Sequence, residues 1–195
     1  MVEELSQVLK KSAEKVFGIE SFLLTNNSDL GVKVDLLKPE EVGADRIANA
    51  YGAYVTYPKP AIVVDLGSAT TFDIINEKGN FIGGVIMPGL NMQFRSLNRN
   101  TSKLPRIEAG ISEKAIGNCT EAALLSGVIR GSASAIEGLI NQCEKELGKK
   151  AYIVATGGYS GLISQYMTRK FDSVNPSLTL EGLKQLYKLN QPVHV

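Results

Sequence analysis

The segment Ala61–Thr71, which reads Ala-Ile-Val-Val-Asp-Leu-Gly-Ser-Ala-Thr-Thr, constrains the fold of this chain more than any other. Its apolar start is typical of a buried strand, and Asp65 follows where such a strand reaches the surface. Gly67 then allows backbone amides to approach a ligand closely. Three hydroxyl donors follow in the same turn, namely Ser68, Thr70 and Thr71. Neutral donors beside one carboxylate predict a turn that binds a phosphate together with a cation.

The rest of the chain alternates between helical and extended patterns. Helices are predicted at 1–19, 44–55, 89–97, 120–147, 160–167 and 180–189. Strands are predicted at 21–25, 61–64, 71–75, 81–86, 152–155 and 171–174. The loop 76–80 makes a hairpin of its two flanking strands, and this antiparallel element among helices predicts an α/β fold with a mixed sheet. We expect two parts, residues 1–60 and 61–195.

Charge and cysteine content exclude several classes of protein. Lys and Arg number 21 against 20 acidic residues, so no overall positive field attracts nucleic acid, and no basic run is present. Cys119 and Cys143 are too few for a disulfide framework, which favours a cytoplasmic location. The charged start differs from a signal peptide, and no apolar run is expected to reach the roughly 20 residues that span a bilayer. We therefore expect neither a nucleic acid nor a membrane as partner.

The only histidine is His194, next to the last residue. Ser-His-Asp and Cys-His nucleophile systems need a positioned imidazole, and the commonest zinc sites need one or more. If the chain is an enzyme, its general base is expected to be a carboxylate.

Two further motifs carry candidate chemistry. In Gly-Ala-Asp-Arg (43–46), Asp45 lies at a predicted helix start, where the helix dipole stabilises a negative charge, and Arg46 can bind a carboxylate bidentately. The alternative for this motif is ordinary helix capping. Thr156-Gly157-Gly158 follows a predicted strand and suits close approach to a nucleoside, although Gly-Gly after a strand is also common in loops.

The order of the motifs is more specific than any one of them. It runs through residues 43–46, 65–71, Gly-Gly-Val-Ile-Met-Pro-Gly (83–89), Thr-Ser-Lys-Leu-Pro (101–105), Ile-Gly-Asn-Cys-Thr (116–120) and 156–158. From about Val32 onward this order resembles type III pantothenate kinases. The resemblance implies an actin-like ATPase fold of the ribonuclease H type, with a mixed sheet flanked by helices. It also implies transfer of the γ-phosphoryl group of ATP, bound with Mg²⁺, to pantothenate, the first step of coenzyme A synthesis.

The resemblance also implies roles for individual residues. Asp45 matches the general base on the pantothenate hydroxyl, and Gly43 and Arg46 match substrate-binding residues. Asp65 matches the acid that holds a monovalent cation, K⁺ or NH₄⁺. Thr120 matches a threonine that reaches pantothenate from the partner subunit of a homodimer. The residues matching the nucleotide site are Gly67, Ser68, Thr70 and Thr71 near the phosphates, where the family usually has threonine at Ser68, and Thr156 and Gly157 near the nucleoside.

One departure from the family pattern lies before Gly43. Family members begin with a strand and an Asp-x-Gly-Asn-Thr turn, and this chain has no such turn there. The first lobe is therefore expected to be incomplete, and the leading hypothesis is an N-terminally shortened kinase, active or inactive as a free chain. The alternatives are a non-catalytic binding or regulatory paralogue, and another actin-like sugar or acid kinase, which does not fit the Gly-Ala-Asp-Arg spacing.

Overall fold

Three strands from the middle of the chain form one half of the sheet. They are β1 (Ala61–Leu66), β2 (Ala69–Ile75) and β3 (Phe81–Pro88). β2 pairs antiparallel with both of its neighbours, and a loop that includes Gly79 at φ +82° joins β2 to β3. The predicted hairpin and its three antiparallel strands are confirmed in the computed structural model, which describes residues 3–25 and 27–191.

The other half of the sheet is parallel. β4 (Tyr152–Thr156) lies beside β1, and the two-residue β5 (Ser173–Val174) lies beside β4. The strand order is β3-β2-β1-β4-β5, so β1 occupies the centre of a five-stranded mixed sheet. The predicted α/β class with a mixed sheet is confirmed.

Helices cover both faces of this sheet. The helices are α1 (Glu3–Phe17), α2 (Ala44–Thr56), α3 (Leu90–Arg99), α4 (Thr120–Leu125), α5 (Gly131–Leu147), α6 (Ser160–Ser164) and α7 (Leu178–Leu189). Residues of α2 and α7 pack with Val63 and Val154 on one face. Residues of α3, α5 and α6 pack with Val64 and Phe72 on the other. The strand alternation of period 2 thus divides the core into two layers.

The chain before the sheet differs in part from the prediction. Helix α1 is confirmed, and it exposes apolar residues such as Leu9 and Phe17. The strand predicted at 21–25 is wrong: the Ser21 N–H donates to the Glu14 carboxylate and the Thr25 N–H donates to the Ser28 hydroxyl, instead of to a neighbouring strand. His194, the histidine of the sequence, lies outside the described residues.

Residues 120–147 form one continuous helix in which a π-helical segment (Ser126–Arg130) joins α4 to α5. By length and composition this 28-residue helix could cross a membrane, so the expectation that no run is long and apolar enough is wrong by that criterion. Its side chains Ile129, Ile136 and Ile140 are buried in the layer against the sheet, as in the core helix of a globular domain. The same criterion is met by such core helices.

Candidate active site

The start of α2 presents the first two candidate residues side by side. Gly43 is the residue before the helix, and the Asp45 carboxylate accepts a hydrogen bond of 2.9 Å from the Arg46 N–H. A Cβ at position 43 would lie only 2.5 Å from Asp45 Oδ1, so glycine leaves the space that this carboxylate occupies. The Asp45 side chain is exposed, and its place in the first helical turn favours its negative charge.

Arg46 is held against the sheet by three groups. Its Nε donates to Asp73 Oδ1 at 2.6 Å, and its Nη2 donates to the Phe72 carbonyl at 3.1 Å. The guanidinium carbon lies 5.5 Å from the centre of the Phe81 ring, within the range of a cation–π interaction. A Cβ at Gly84 on β3 would overlap the Phe72 carbonyl oxygen and would also crowd Arg46 Nη2, so no side chain fits at that position.

Asp73 is a buried residue of this site that the sequence analysis missed. Its side chain is fully buried in β2, and Oδ2 has no hydrogen-bond partner in the described part of the chain. Burial raises the pKa of Asp73, Arg46 lowers it, and the negative charges of Asp45 and Asp65 raise it. The net result is a pKa of about 7. The one available signal was an acid among apolar residues in the strand Thr-Phe-Asp-Ile-Ile.

Asp65 is the second-last residue of β1, and its carboxylate belongs to a series of side-chain hydrogen bonds. Asn49 on α2 donates to Asp65 Oδ2 at 3.1 Å, and Thr179 on α7 donates to Asn49 Oδ1 at 2.7 Å. Burial raises the pKa of Asp65, the Asn49 hydrogen bond lowers it, and the charge of Asp45 raises it. Two helices therefore fix the Asp65 carboxylate, and its Oδ1 is left for another partner.

Two glycine turns close around Asp65. Gly157 has φ +85°, and a Cβ there would lie 2.6 Å from both Asp65 Oδ1 and the Leu66 carbonyl oxygen. A Cβ at Gly67 would lie 3.3 Å from the same Oδ1. The β1–β2 and β4–α6 turns thus meet at one carboxylate.

The predicted hydroxyl residues divide between the two faces of the sheet. Thr71 and Thr156 pair with Asp65 on either side and share its face. Thr70 pairs with Leu66 and is buried on the opposite face, whereas Ser68 is exposed in the turn. The structure therefore brings Thr71 and Thr156 next to Asp65 and separates them from Thr70.

Thr120 stands apart from these residues. It is exposed at the first position of α4, a helix whose apolar residues pack on the sheet face opposite to α2. Within one chain the structure does not bring Thr120 to Asp45 or Arg46.

A cleft beside the β1–β2 turn contains cationic residues that the sequence analysis also missed. It has a volume of about 700 Å³ and is lined by Gly67, Ser68, Tyr159 and residues of α3, including Arg95 and Arg99. An adjoining cleft of about 210 Å³ adds Arg106 and Glu108. No carboxylate of the described residues pairs with any of these three arginines. The spacing of four between Arg95 and Arg99, one helical turn, was the available signal.

The described residues contain no group of three or more His, Cys, Asp or Glu side chains that could hold a metal ion. Asp65 Oδ1 and the Leu66 carbonyl oxygen nevertheless both lie close to Gly157. Carboxylate and carbonyl oxygens are hard donors, which suit an alkali-metal ion better than a transition metal.

Sequence comparisons give one consistent result. The family model for type III pantothenate kinase matches residues 1–142. A type III pantothenate kinase from Dehalococcoides mccartyi strain CBDB1 is 48% identical over 161 residues, which cover 83% of this chain and 61% of the relative. Another from Moorella thermoacetica is 41% identical over 190 residues, 97% of this chain and 74% of the relative. The chain spans 61% or 62% of the length of the D. mccartyi relatives that it matches.

A solved structure shares the fold. The match is a conserved Campylobacter jejuni protein assigned to the Baf family of transcriptional activators. The TM-score is 0.57 at 25% sequence identity, and the match covers 80% of this chain and 68% of that one.

Proposed function

This chain belongs to the type III pantothenate kinase family, and from that premise we propose that it phosphorylates pantothenate with ATP in the first step of coenzyme A synthesis. The observation that carries the proposal is the exposed Asp45 carboxylate directly beside the clamped Arg46, on the face of the sheet where Asp65 ends β1. In this proposal a base, a carboxylate-binding group and a phosphate turn lie on neighbouring elements.

Asp45 is the general base of the proposed reaction. It takes the proton of the pantothenate hydroxyl, whose oxygen forms the new bond to the γ-phosphorus while the bond to the β–γ bridging oxygen breaks and ADP leaves. Phosphoryl transfer depends mainly on positioning and charge stabilisation, so a carboxylate base is sufficient and no imidazole is needed.

Arg46 and Gly43 bind the other end of the substrate. Pantothenate carries a carboxylate, and a guanidinium fixed at one edge can donate two parallel hydrogen bonds to it from its free edge. Gly43 keeps the backbone next to Asp45 free of a side chain, so the substrate can lie close to both.

The nucleotide occupies the cleft on the other side of Asp65. Gly67 and Ser68 in the turn lie near the phosphates, and Arg95 and Arg99 add positive charge along α3. Thr71, the other hydroxyl residue that the family resemblance assigns to the phosphates, lies on the Asp65 face of β2 and does not line this cleft. Thr156 and Gly157 lie near the nucleoside. Thr70 is buried on the sheet face that α3 covers, opposite to Asp65.

Asp65 Oδ1 and the Leu66 carbonyl would hold the monovalent cation, K⁺ or NH₄⁺, and Mg²⁺ accompanies ATP as part of the substrate. Such a cation offsets negative charge between Asp65 and the phosphates. Thr120 completes the site of the other subunit in a homodimer, which explains its distance from Asp45 within one chain. A cytoplasmic location agrees with these substrates.

The test is ADP release by the purified protein with ATP, Mg²⁺, K⁺ and pantothenate. We expect pantothenate-dependent turnover that falls by roughly 10²–10⁴ in Asp45→Asn, the range for loss of a general base. Glu41→Gln, an exposed acid just before the same helix, is the matched control and should keep its rate. Pantothenate binding by calorimetry without any turnover would instead support the non-catalytic binding role.

A further inference from the structure

We propose that Asp73 is a positioning residue for pantothenate: it fixes the Arg46 guanidinium so that its free edge faces the substrate carboxylate. The inference rests on the proposed function, because it takes Arg46 as the group that binds pantothenate. It adds a residue on β2 that does not itself touch the substrate.

The contacts of Arg46 leave one edge available. Asp73 Oδ1 occupies Nε and the Phe72 carbonyl occupies one hydrogen of Nη2, at 2.6 and 3.1 Å. Nη1 has no partner among residues 3–25 and 27–191. The remaining N–H groups of Nη1 and Nη2 form the parallel pair that binds a carboxylate bidentately.

The backbone around Arg46 agrees with a fixed guanidinium. Gly84 leaves the space that Nη2 occupies, and the Phe81 ring covers one face of the group at 5.5 Å. The side chain is only 16% exposed, so little of it can move into solvent. Among residues 3–25 and 27–191, Asp73 provides the one ion pair of Arg46, and this contact selects the orientation of the guanidinium.

A purely structural role explains Asp73 poorly. Its neighbours in β2, Phe72 and Ile74, are buried and apolar, and an apolar residue at 73 would avoid the cost of a buried carboxylate. Replacing a buried ion pair by apolar side chains is often neutral or stabilising. The unpartnered Oδ2 adds a further cost, since an unsatisfied buried acceptor destabilises the folded state. A carboxylate retained at this cost points to a role in binding.

Asp73 also determines which acid Arg46 pairs with. The charged groups around Asp73 are Arg46 and Asp45 from α2 and Asp65 from β1. Without Asp73, the guanidinium would be free to turn toward Asp45, its neighbour in sequence, and neutralise the proposed base. The Asp73 contact keeps the base and the carboxylate-binding group separate.

The experiment compares Asp73→Asn with the wild-type protein in steady-state kinetics and in calorimetric binding of pantothenate. We expect the KM and Kd for pantothenate to rise about tenfold, as for loss of a hydrogen bond to a charged group, with the KM for ATP within twofold. Glu144→Gln, which weakens the other buried ion pair away from the site, is the control for stability alone and should leave both KM values unchanged.

A double-mutant cycle tests whether Asp73 acts through Arg46. In an Arg46→Ala background, Asp73→Asn should cause no further rise in the Kd for pantothenate, because the positioned group is already absent. A full additional rise in that background would overturn the assignment. If Asp73→Asn does not fold, Phe81→Leu removes the ring beneath the same guanidinium and should raise the KM for pantothenate by a smaller factor.

The outcomes separate this inference from the proposed function. Wild-type protein that binds pantothenate, with Asp73→Asn binding it equally well, would overturn the role of Asp73 and leave the kinase proposal intact. Wild-type protein with no affinity for pantothenate would overturn both.

Discussion

Two buried ion pairs of this protein, Arg46–Asp73 and Arg169–Glu144, are built differently. Glu144 accepts hydrogen bonds from both Arg169 Nη groups, from Lys150 and from the Ala151 N–H. Asp73 accepts one hydrogen bond, at Oδ1, and its Oδ2 has none among the described residues. The first pair satisfies its acid, whereas the second leaves both its acid and its arginine with unused capacity.

The pKa values of the two acids follow this difference. Burial by itself would raise the pKa of Glu144, but the hydrogen bonds from Arg169, Lys150 and Ala151 outweigh it and lower the pKa to about 2. Burial of Asp73 outweighs Arg46 and raises its pKa to about 7. The Arg169–Glu144 pair joins α5 to the segment after α6. In the Arg46–Asp73 pair, the Arg46 guanidinium keeps N–H groups that a ligand can use.

The largest expected effect is on stability at the satisfied pair. Glu144→Ala removes four hydrogen bonds and should lower the free energy of unfolding by about 3 kcal/mol, with the KM for pantothenate unchanged. Urea unfolding measures the first quantity. Glu146→Ala, an exposed acid two residues along the same helix, is the control, and an equal loss there would contradict the comparison.

Replacing both members of each pair sharpens the contrast. Arg46→Met with Asp73→Leu should keep stability or raise it by about 2 kcal/mol while abolishing pantothenate binding. The matching change, Arg169→Met with Glu144→Leu, should lower stability, because Lys150 and the Ala151 N–H lose their acceptor. Thermal unfolding of the two double variants decides this. A large loss in the first would show that Arg46–Asp73 is a structural fastener.

The pH dependence of stability should differ in sign between the two acids. Since the folded-state pKa of Asp73 is raised from 3.8 to about 7, its contribution is present below pH 3.8 and is lost as the pH rises through 7. The contribution of Glu144 is present above pH 4.5 and is lost as the pH falls toward 2. From pH 5 to 8, Asp73→Asn should therefore gain on the wild type by at most about 1.4 kcal/mol per pH unit. A constant difference would contradict the raised pKa of Asp73.

Arg95 and Arg99 of the cleft extend the comparison to arginines that have no acidic partner among the described residues. Arg95→Ala and Arg99→Ala should change stability by less than about 0.5 kcal/mol. The KM for ATP should rise roughly three- to tenfold, and less so at high salt, because exposed charges are screened. Lys103→Ala, exposed in the following loop, is the control for a general loss of positive charge. An equal rise in the KM for ATP in Lys103→Ala would show that the cleft does not bind the nucleotide.

The parts of the fold that local patterns control were predictable. The apolar run of β1, the loop before β3 and the proline at the end of β3 located three strands and the start of α3, and the structure confirms them. The segment 21–25 has the composition of a strand but no strand to pair with, and no local pattern reports the absence of a partner. The division of the chain at residue 60 stays a prediction.

The sequence offered candidate site residues only where they belong to a recognisable motif. Asp45 and Arg46 are adjacent on α2, but the partner of Arg46 lies 27 residues away on β2, so Asp73 had no local signal beyond its polarity. The alternation of strand side chains could have shown that Thr70 and Thr71 face opposite sides of the sheet. In the same way, the spacing of four residues between Arg95 and Arg99 could have shown that both lie on one face of α3.

The hydrogen bond from Thr179 to Asn49 joins residues 130 positions apart, and Asn49 in turn donates a hydrogen bond to Asp65. During synthesis α2 and β1, which contain Asp45 and Asp65, leave the ribosome long before α7 does. Gly182 then packs directly against the backbone of α2 at Ala48, so the late helix docks on the early one. A nascent chain therefore carries the residues of this site in an incompletely ordered state until translation has passed α7.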